Sequence, residues 1–389
     1  MSIRTPLLAL LPAGVLAAGL GLSSTRLVDN GLARTPPMGW NSWNHFGCDV
    51  SAQLIKEIAD SMASSGMRDA GYRYVIIDDC WQVARDARGV LIADTLRFPG
   101  GIKPLADYVH SRGLKFGIYT DAGHQTCQGR PGTYGYEQLD AKTFAAWGVD
   151  YVKEDWCYAD SMDAPTQYAK FRDALRRSGR PIVFSICEWG SAAPWTWGPR
   201  TGNLWRTTTD IEDTWGSMLD NLDISAQHPE AARPGAWNDP DMLEVGNGGM
   251  TDDEYRAHLS LWAILAAPLI AGNDVRTMTP ATRDILLNKE VIAVDQDSLG
   301  VQGTLVSEHP PEHQVWMKPL ADGSRAVALL NRGTAPDSIA ASWWRLRIRG
   351  PAVVRDLWAH ADLGTFTGRF VAVVPPHAAL MLRVTPAKP

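Results

Sequence analysis

The stretch VDYVKEDWCY, at residues 149–158, combines a buried β-strand with a charged end. Val149 and Val152 favour a strand, whereas Lys153 and Asp155 add charge where the strand should stop. The same pattern, an apolar run that ends in an acidic residue, recurs along the chain; the other acidic ends are Asp78 and Asp79, Asp121, Glu188, Asp210, Asp239 and Asp274. Together with an aromatic strand around MGWNSWNHF, the pattern predicts eight short strands.

The segments between these strands favour helices. SAQLIKEIADSMASSG, for example, places its apolar residues on one stripe, with Ser51 as N-cap and Gly66 as the stop. Alternating strands and helices over residues 30–300 therefore predict an α/β fold, a (β/α)8 TIM barrel. Active sites in this fold lie where the strands end, so the recurring acidic residues should surround one pocket.

The pattern changes after residue 300. HQVWMKPL, SRAVALLNR, VVRDLWAH, RFVAVVPP and AALMLRV alternate apolar and polar residues and are separated by Gly, Pro and Asp. Residues 301–389 are thus expected to form an antiparallel β-sandwich domain. This domain shows no cluster of chemically reactive residues.

The N-terminus predicts export from the cytoplasm. An apolar run follows Arg4, and residues 1–25 are expected to be a signal peptide that is cleaved between Gly21 and Asn30. An uncleaved membrane anchor is the alternative. Either way the catalytic part should be secreted or periplasmic, where the five cysteines meet an oxidising environment.

The amino-acid composition limits the kinds of ligand that this protein is expected to bind. The net charge is −6 without a basic stripe, so nucleic acid is not expected to bind. The chain has no HExxH, CxxC, P-loop or GxGxxG motif, and no metal or cofactor is predicted. Sixteen Trp residues suit stacking on sugar rings or simple core filling, and both interpretations stay open.

The periodicity of the strands also indicates which type of reaction the site could catalyse. A period of two puts Lys153 and Asp155 on one face of their strand, with Glu154 on the other. In LWRTTTDIEDTW, the same rule puts Arg206 and Asp210 on one face. Two carboxylates from different strands in a Trp-rich pocket are what glycoside hydrolysis needs. Structural ion pairs at the barrel rim are the alternative.

Seven motifs in order resemble the signatures of glycoside hydrolase family 27, the α-galactosidases. They are PPMGWNSWNHFGCDV, YVIIDDCW, GIYTDAGHQTC, YVKEDWC, ICEWG, WRTTTDIEDTW and WNDPDMLEVGNGG. The resemblance implies a retaining exo-glycosidase that removes terminal α-D-galactosyl residues through a covalent glycosyl-aspartate. Galactose-terminated oligosaccharides, polysaccharides or glycoconjugates would be its substrates.

The resemblance also implies residue roles. Asp155 would be the nucleophile and Asp210 the acid/base. The implied substrate-binding residues are Trp40, Asp78, Asp79, Tyr119, Cys127, Lys153, Cys157, Glu188, Trp189, Arg206 and Asp239. Charge arguments add that Lys153 and Arg206 should keep Asp155 ionised, while its negative charge should raise the pKa of Asp210.

Disulfide bonds are implied in the same way. The family pairing would join Cys48 to Cys80 and Cys127 to Cys157, and leave Cys187 free. Glu154 and Trp156 depart from the family pattern, which affects the expected aglycone side of the site.

Other activities remain as alternatives. An α-N-acetylgalactosaminidase usually has small residues near the sugar O2, where this chain has Glu188 and Trp189, so these two residues are expected to exclude the N-acetyl group. A β-L-arabinopyranosidase tends to alter the pair that is Asp78 and Asp79 here. A sugar-binding protein without activity would be expected to lose Asp155 or Asp210.

Overall fold

The computed structural model describes Val28 and residues 30–387, so the expected signal peptide at residues 1–25 lies outside the described residues. The core is an eight-stranded parallel sheet with the order β8-β1-β2-β3-β4-β5-β6-β7. The strands are β1 (Met38–Asn41), β2 (Tyr74–Ile77), β3 (Lys115–Asp121), β4 (Tyr151–Asp155), β5 (Val183–Ile186), β6 (Leu204–Arg206), β7 (Trp237–Asp239) and β8 (Leu269–Ala271).

The two edges of this sheet are joined just after β7. The backbone N–H of Leu243 donates to the Ile270 carbonyl at 2.8 Å, and the N–H of Gly272 donates to the Leu243 carbonyl at 3.1 Å. The TIM-barrel prediction is confirmed. A short antiparallel hairpin, Gln82–Arg85 with Leu91–Ala93, extends from the end of β2.

Helices connect the barrel strands. The longer ones are Ala52–Ser65, Ile102–Ser111, Glu137–Trp147, Ala164–Arg177, Trp215–Ser225 and Asp252–Leu265, followed by Pro280–Leu286 and Lys289–Asp295. Single turns of α-helix lie at Trp43–Phe46 and Met67–Ala70, and 3₁₀ turns at Pro194–Thr196 and Gly198–Arg200. As expected, the Ser51 hydroxyl caps its helix by accepting from the Leu54 N–H, and Gly66 ends that helix with φ +98°.

The second domain contains eight strands, of which the sequence predicted five. They are β9 (Thr304–Glu308), β10 (His313–Pro319), β11 (Arg325–Asn331), β12 (Asp337–Ser342), β13 (Pro351–Asp356), β14 (Ala361–Thr367), β15 (Arg369–Val374) and β16 (Ala378–Pro386). A six-stranded sheet, β9-β10-β11-β16-β13-β14, faces the antiparallel pair β12-β15. The three strands that were missed are β9, β12 and β14. Two of them, β9 and β14, lie at the edges of the six-stranded sheet and contain no buried residue, which weakens the alternation signal.

The helix Asp252–Leu265 lies between the barrel and the second domain, and most of its residues are buried. Lys318 of β10 is buried against it, where its ammonium donates to the carbonyls of Ala263 and Asp295 at 3.2 Å each. On the barrel side, the Trp262 indole N–H donates to the Asp241 carbonyl at 2.8 Å. The helix therefore connects the second domain to a loop at the carboxyl ends of the barrel strands.

Within the described part of the chain, no helix combines the length and apolar character that crossing a membrane requires.

Candidate active site

A cavity of about 430 Å³ opens at the carboxyl ends of the barrel strands. It is lined by nine residues that the sequence had indicated: Asp78, Asp79, Tyr119, Cys127, Lys153, Asp155, Trp189, Arg206 and Asp210. Four other indicated residues, Trp40, Cys157, Glu188 and Asp239, lie outside this lining. The recurring acidic strand ends therefore meet at one site, although not every acidic residue reaches the cavity.

Asp155, at the end of β4, is a buried carboxylate of this lining, with 7% of its surface exposed. The Tyr119 hydroxyl donates to Asp155 Oδ2 at 2.8 Å, while Oδ1 has no hydrogen-bond partner among the described residues. Burial raises the pKa of Asp155 to about 6, although the positive charge of Lys153 acts in the opposite direction. Tyr119 thus holds the Asp155 carboxylate in one orientation.

Lys153 precedes Asp155 by two residues and is paired with Asp78. Its ammonium lies 2.9 Å from Asp78 Oδ2, which also accepts from the Asn41 side-chain amide at 2.7 Å. Asp79 is held in turn by the backbone N–H groups of Cys80, at 2.6 Å, and Gln128, at 3.0 Å. These fixed carboxylates are suited to accepting hydrogen bonds from sugar hydroxyls.

Asp210 lies in the loop after β6, not on the strand, because β6 ends at Arg206. Its side chain is 67% exposed, and its Oδ1 is 3.0 Å from Nη2 of Arg206. The same guanidinium nitrogen lies 2.9 Å from Asp241 Oδ2. Arg206 is therefore shared between two carboxylates.

The expected order of pKa values is wrong for this structure. Partial burial acts to raise the pKa of Asp210, but the positive charges of Arg206 and Lys153 outweigh it and lower that pKa. The pKa of Asp155 is the one that is raised, because its burial outweighs the opposing positive charge of Lys153. Arg206 pairs with Asp210 and Asp241. Strand period could not show this, since it placed Arg206 and Asp210 on one face without revealing their ion pair.

Trp189 lines the cavity, whereas its neighbour Glu188 turns away from it. Glu188 Oε2 accepts from the Ser191 hydroxyl at 2.7 Å and from the Ala192 N–H at 2.5 Å. These bonds fix a tight turn in which Trp189 has φ +55°, a left-handed conformation that non-glycine residues rarely adopt. The turn that Glu188 stabilises therefore places Trp189 in the cavity wall. Of the two residues expected to exclude the N-acetyl group by steric contact, only Trp189 is positioned to do so.

The other three residues outside the lining contact residues within or beside it. Trp40 is fully buried, and its indole N–H donates to the Asn273 carbonyl at 2.8 Å. Asp239 Oδ1 accepts from the N–H of Asp241 at 2.9 Å, and burial raises the pKa of Asp239 to about 6. Cys157 is joined by a disulfide to Cys127 in the cavity wall.

The cysteine pairing is as the resemblance implied. Disulfides join Cys48 to Cys80 and Cys127 to Cys157, and Cys187 is a buried free thiol. The second disulfide links the loop after β3 to the end of β4. It therefore braces the strand that carries Asp155.

The two departures from the family pattern lie away from the cavity. Glu154 is fully buried on the opposite face of β4, and neither carboxylate oxygen has a partner among the described residues. Burial raises the pKa of Glu154 well above its usual range, which favours the neutral carboxylic acid. Trp156 stacks on Tyr168 with ring centres 5.2 Å apart. Neither side chain belongs to the cavity lining. The lining therefore does not support the prediction that Glu154 and Trp156 affect the aglycone side of the site.

Sequence reasoning missed part of the lining: Trp43, Asn44, His45, Ile211, Glu212, Asp213, Asp241, Met242, Glu244 and Asn247. Asp241 was the most accessible to prediction, because it is the second acid of WNDPDM at the end of β7. Its backbone has φ +87°, and the turn it forms brings its carboxylate to Arg206. Trp43, Asn44 and His45 lie in the helical turn after β1, and the others lie in loops, where strand periodicity carries no information.

A parallel barrel that presents two carboxylates and a carboxylate-rich wall in one cavity has the features of a glycoside hydrolase. The comparisons specify the family. Residues 35–297 match the family model described as alpha galactosidase A, and residues 311–384 match the alpha galactosidase C-terminal beta sandwich domain. The chain belongs to the α-galactosidases of glycoside hydrolase family 27.

Individual relatives agree with this membership. The probable alpha-galactosidase of Dictyostelium discoideum is 49% identical over 96% of this chain and 98% of its own. The structure of alpha-galactosidase I from Mortierella vinacea has a TM-score of 0.88 and 40% identity, covering 92% of this chain and 100% of its own. The α-galactosidase of Saccharomyces cerevisiae, solved with raffinose, has a TM-score of 0.86 and 31% identity, covering 92% and 99%.

Proposed function

We propose that Asp155 and Asp210 carry out the retaining hydrolysis of terminal α-D-galactosides by this chain, Asp155 as nucleophile and Asp210 as acid/base. Family membership makes α-galactoside hydrolysis the activity, and the family mechanism is double displacement. The observation that carries the residue assignment is the contrast between the two carboxylates. Asp155 is buried and fixed by Tyr119 with one oxygen unpaired, whereas Asp210 is solvent-exposed beside Arg206.

The two environments suit different steps. A nucleophile must be held at one angle to the anomeric carbon, and the hydrogen bond from Tyr119 to Oδ2 fixes the Asp155 carboxylate for that attack. An acid/base must exchange its proton with the leaving group and then with water, which an exposed side chain in a loop allows.

The rest of the lining would bind the galactose. Asp78, Asp79 and Lys153 offer two acceptors and a cation on one side, which suits vicinal hydroxyls. Trp189 and the disulfide sulfur of Cys127 supply less polar surface next to them. We propose that this set selects the galactosyl group and that Arg206 contacts the sugar on the side of Asp210.

The test uses azide rescue of two alanine variants with p-nitrophenyl α-galactoside. Asp155→Ala should lose nearly all turnover, and azide should restore it by forming β-galactosyl azide, because azide replaces the missing nucleophile. Asp210→Ala should retain more activity on activated leaving groups, and azide should give the α-galactosyl azide from the glycosyl-enzyme.

The matched control is Glu212→Gln, which removes a carboxylate from the loop of Asp210 and should show no azide rescue. If the anomers of the two azides are exchanged, the roles of Asp155 and Asp210 are exchanged as well. For the unaltered enzyme, early NMR spectra should show the α anomer of galactose first, and a β anomer would exclude double displacement.

We also propose that the protein acts outside the cytoplasm. Two disulfides beside the active site support this, because such bonds persist in oxidising compartments. N-terminal sequencing of exported protein should begin between residues 21 and 30. Recovery of an intact Met1 from a membrane fraction would instead favour the anchor.

A further inference from the structure

The turn between β15 and β16 of the second domain reaches two barrel helices that begin beside the cavity. Its residue His377 has φ +50°, and its ring stacks on Trp215 with ring centres 5.0 Å apart and planes 16° from parallel. His377 Nδ1 also lies 2.9 Å from Glu254 Oε1. One side chain of the second domain therefore contacts the first turns of two helices, Trp215–Ser225 and Asp252–Leu265.

Glu254 is held on both of its carboxylate oxygens. Oε2 accepts from the backbone N–H of Thr251 at 2.7 Å, and these two residues form a capping box at the start of their helix. Oε1 is the atom beside His377. Partial burial acts to raise the pKa of Glu254, but the hydrogen bonds from Thr251 and His377 outweigh it and lower that pKa. The contact with His377 therefore involves an ionised carboxylate, which strengthens the hydrogen bond.

The same two helix starts hold Asp213, which lines the cavity three residues after Asp210. The hydroxyl of Tyr255, the residue after Glu254, donates to the Asp213 carboxylate and lies 3.0 Å from each of its oxygens. On the other side, Trp215 follows Asp213 by two residues. Both contacts of His377 therefore lead to the loop that carries Asp210.

The position of Asp210 depends on this loop. Its side chain is 67% exposed, and the Arg206 nitrogen that it contacts is shared with Asp241. A general acid must lie within hydrogen-bond reach of the oxygen that it protonates. A misplacement of about 1 Å, caused by a change far from the reacting atoms, can reduce the rate about 100-fold. Support at the far end of the loop can thus affect the acid step without any contact with the substrate.

We propose that the second domain contributes to the acid step of the reaction through His377, which positions the loop of Asp210 by fixing the first turns of both helices. This proposal rests on the acid/base role proposed above for Asp210. His377 is a positioning residue, because it does not belong to the cavity lining. Cleavage of poor leaving groups should therefore depend on His377, whereas cleavage of activated leaving groups should depend on it much less.

A second histidine–glutamate contact between the domains provides a matched control. His360, in the turn between β13 and β14, also has a positive φ, +54°, and its Nδ1 lies 2.8 Å from Glu290 Oε1. Glu290 belongs to the helix Lys289–Asp295, and neither residue of this contact is part of the cavity lining. Loss of the His360 contact should therefore reduce stability without affecting the acid step.

The experiment compares phenyl α-galactoside, whose leaving group needs protonation, with dinitrophenyl α-galactoside, whose leaving group needs almost none. In His377→Gly, the ratio of kcat/KM for the phenyl substrate to that for the dinitrophenyl substrate should fall about 3- to 30-fold. Glycine accepts the left-handed backbone, so the variant adds no strain. His377→Asn should restore part of the ratio, because asparagine also tolerates a positive φ and its amide can donate to Glu254. His360→Gly should leave the ratio unchanged.

The ratio does not depend on how much of the enzyme is folded, because both substrates are assayed on the same sample. An unchanged ratio in His377→Gly, or an equal fall in His360→Gly, would overturn the inference, since His377 would then only stabilise the fold. Asp210→Ala is the reference variant and should lower the ratio more than His377→Gly does. If Asp210→Ala leaves the ratio unchanged, the acid/base assignment fails and this inference fails with it, a result that differs from an unchanged ratio in His377→Gly alone.

Discussion

Tyr119→Phe tests how the protein controls its proposed nucleophile. The variant removes only the hydroxyl that donates to Asp155 Oδ2 at 2.8 Å. The pKa of Tyr119 is raised well above its usual value by burial, so the hydroxyl keeps its proton and remains a donor throughout the working pH range. Its removal should make the ionised form of Asp155 less stable.

The size of the effect follows from the hydrogen bond. A bond to an ionised carboxylate contributes about 1.5–3 kcal/mol, which corresponds to an increase of about 1–2 units in the pKa of Asp155. That pKa begins at about 6. At pH 6, kcat/KM should therefore fall about 5- to 50-fold as the ionised fraction decreases, and the loss should shrink as the pH rises.

The assay is the pH profile of kcat/KM for p-nitrophenyl α-galactoside. The ratio of kcat/KM in Tyr119→Phe to that of the unaltered enzyme should increase with pH, whereas Tyr134→Phe, a matched change outside the cavity lining, should leave the profile unchanged. If kcat/KM falls by the same factor at every pH, Tyr119 does not act through the ionisation of Asp155, and the reasoning is refuted.

Three further predictions follow from other parts of the molecule. Lys318→Met should lower the melting temperature and cost about 1–3 kcal/mol of stability, because it removes the buried ammonium that donates to the backbone carbonyls of Ala263 and Asp295; thermal unfolding measures this, and an unchanged melting temperature would contradict it. Unreduced denatured protein should react at one thiol, Cys187, and at four more after reduction, as thiol titration can count. Trp189→Ala should raise the activity on the α-N-acetylgalactosaminide, relative to the α-galactoside, more than Glu188→Ser does, because Trp189 lines the cavity. Activities on the two nitrophenyl substrates measure this ratio. A larger increase in Glu188→Ser would show that Glu188 is the residue that excludes the N-acetyl group.

The barrel could be predicted because its signal is repeated. Most barrel strands are short and apolar and have a polar or acidic residue at or near their end, and eight strands alternating with helices leave few other folds. The second domain was only partly predictable. Its strands β9 and β14 lie at the edges of a sheet, where the exposed faces relax the alternation that marks an inner strand such as β11.

The tryptophans show why residue type alone does not define a site. Trp81, Trp205 and Trp237 are fully buried, and each donates its indole N–H to a fixed acceptor in the core: the Tyr119 carbonyl at 2.9 Å, the Asn238 side chain at 2.8 Å and the Ala33 carbonyl at 2.8 Å. Only Trp43 and Trp189 among the described tryptophans belong to the cavity lining. Core filling therefore accounts for more of them than sugar binding does.

Loop geometry limited the prediction of the site. Asp155 follows directly from strand register, because β4 runs to that residue. Asp210 and Asp241 depend on turns after β6 and β7, and their common partner Arg206 is visible only in three dimensions. The hydrogen bond from Asn44 to Glu244 in the cavity wall joins residues 200 positions apart in sequence, with no periodicity to relate them.

The pKa of Asp210 is lowered and that of Asp155 is raised, and the effect of a bound substrate can reconcile this order with the proposed mechanism. A galactoside that enters the cavity covers Asp210, which is 67% exposed without it, and burial of a carboxylate raises its pKa. A sugar hydroxyl beside Asp210 should compete for Arg206, whose Nη2 has a second carboxylate, Asp241, at 2.9 Å. If Arg206 shifts its hydrogen bonds towards the sugar and Asp241, the positive charge that lowers the pKa of Asp210 acts on it less strongly. Both changes should raise the pKa of Asp210 when a galactoside binds, which is what the acid role proposed for Asp210 requires.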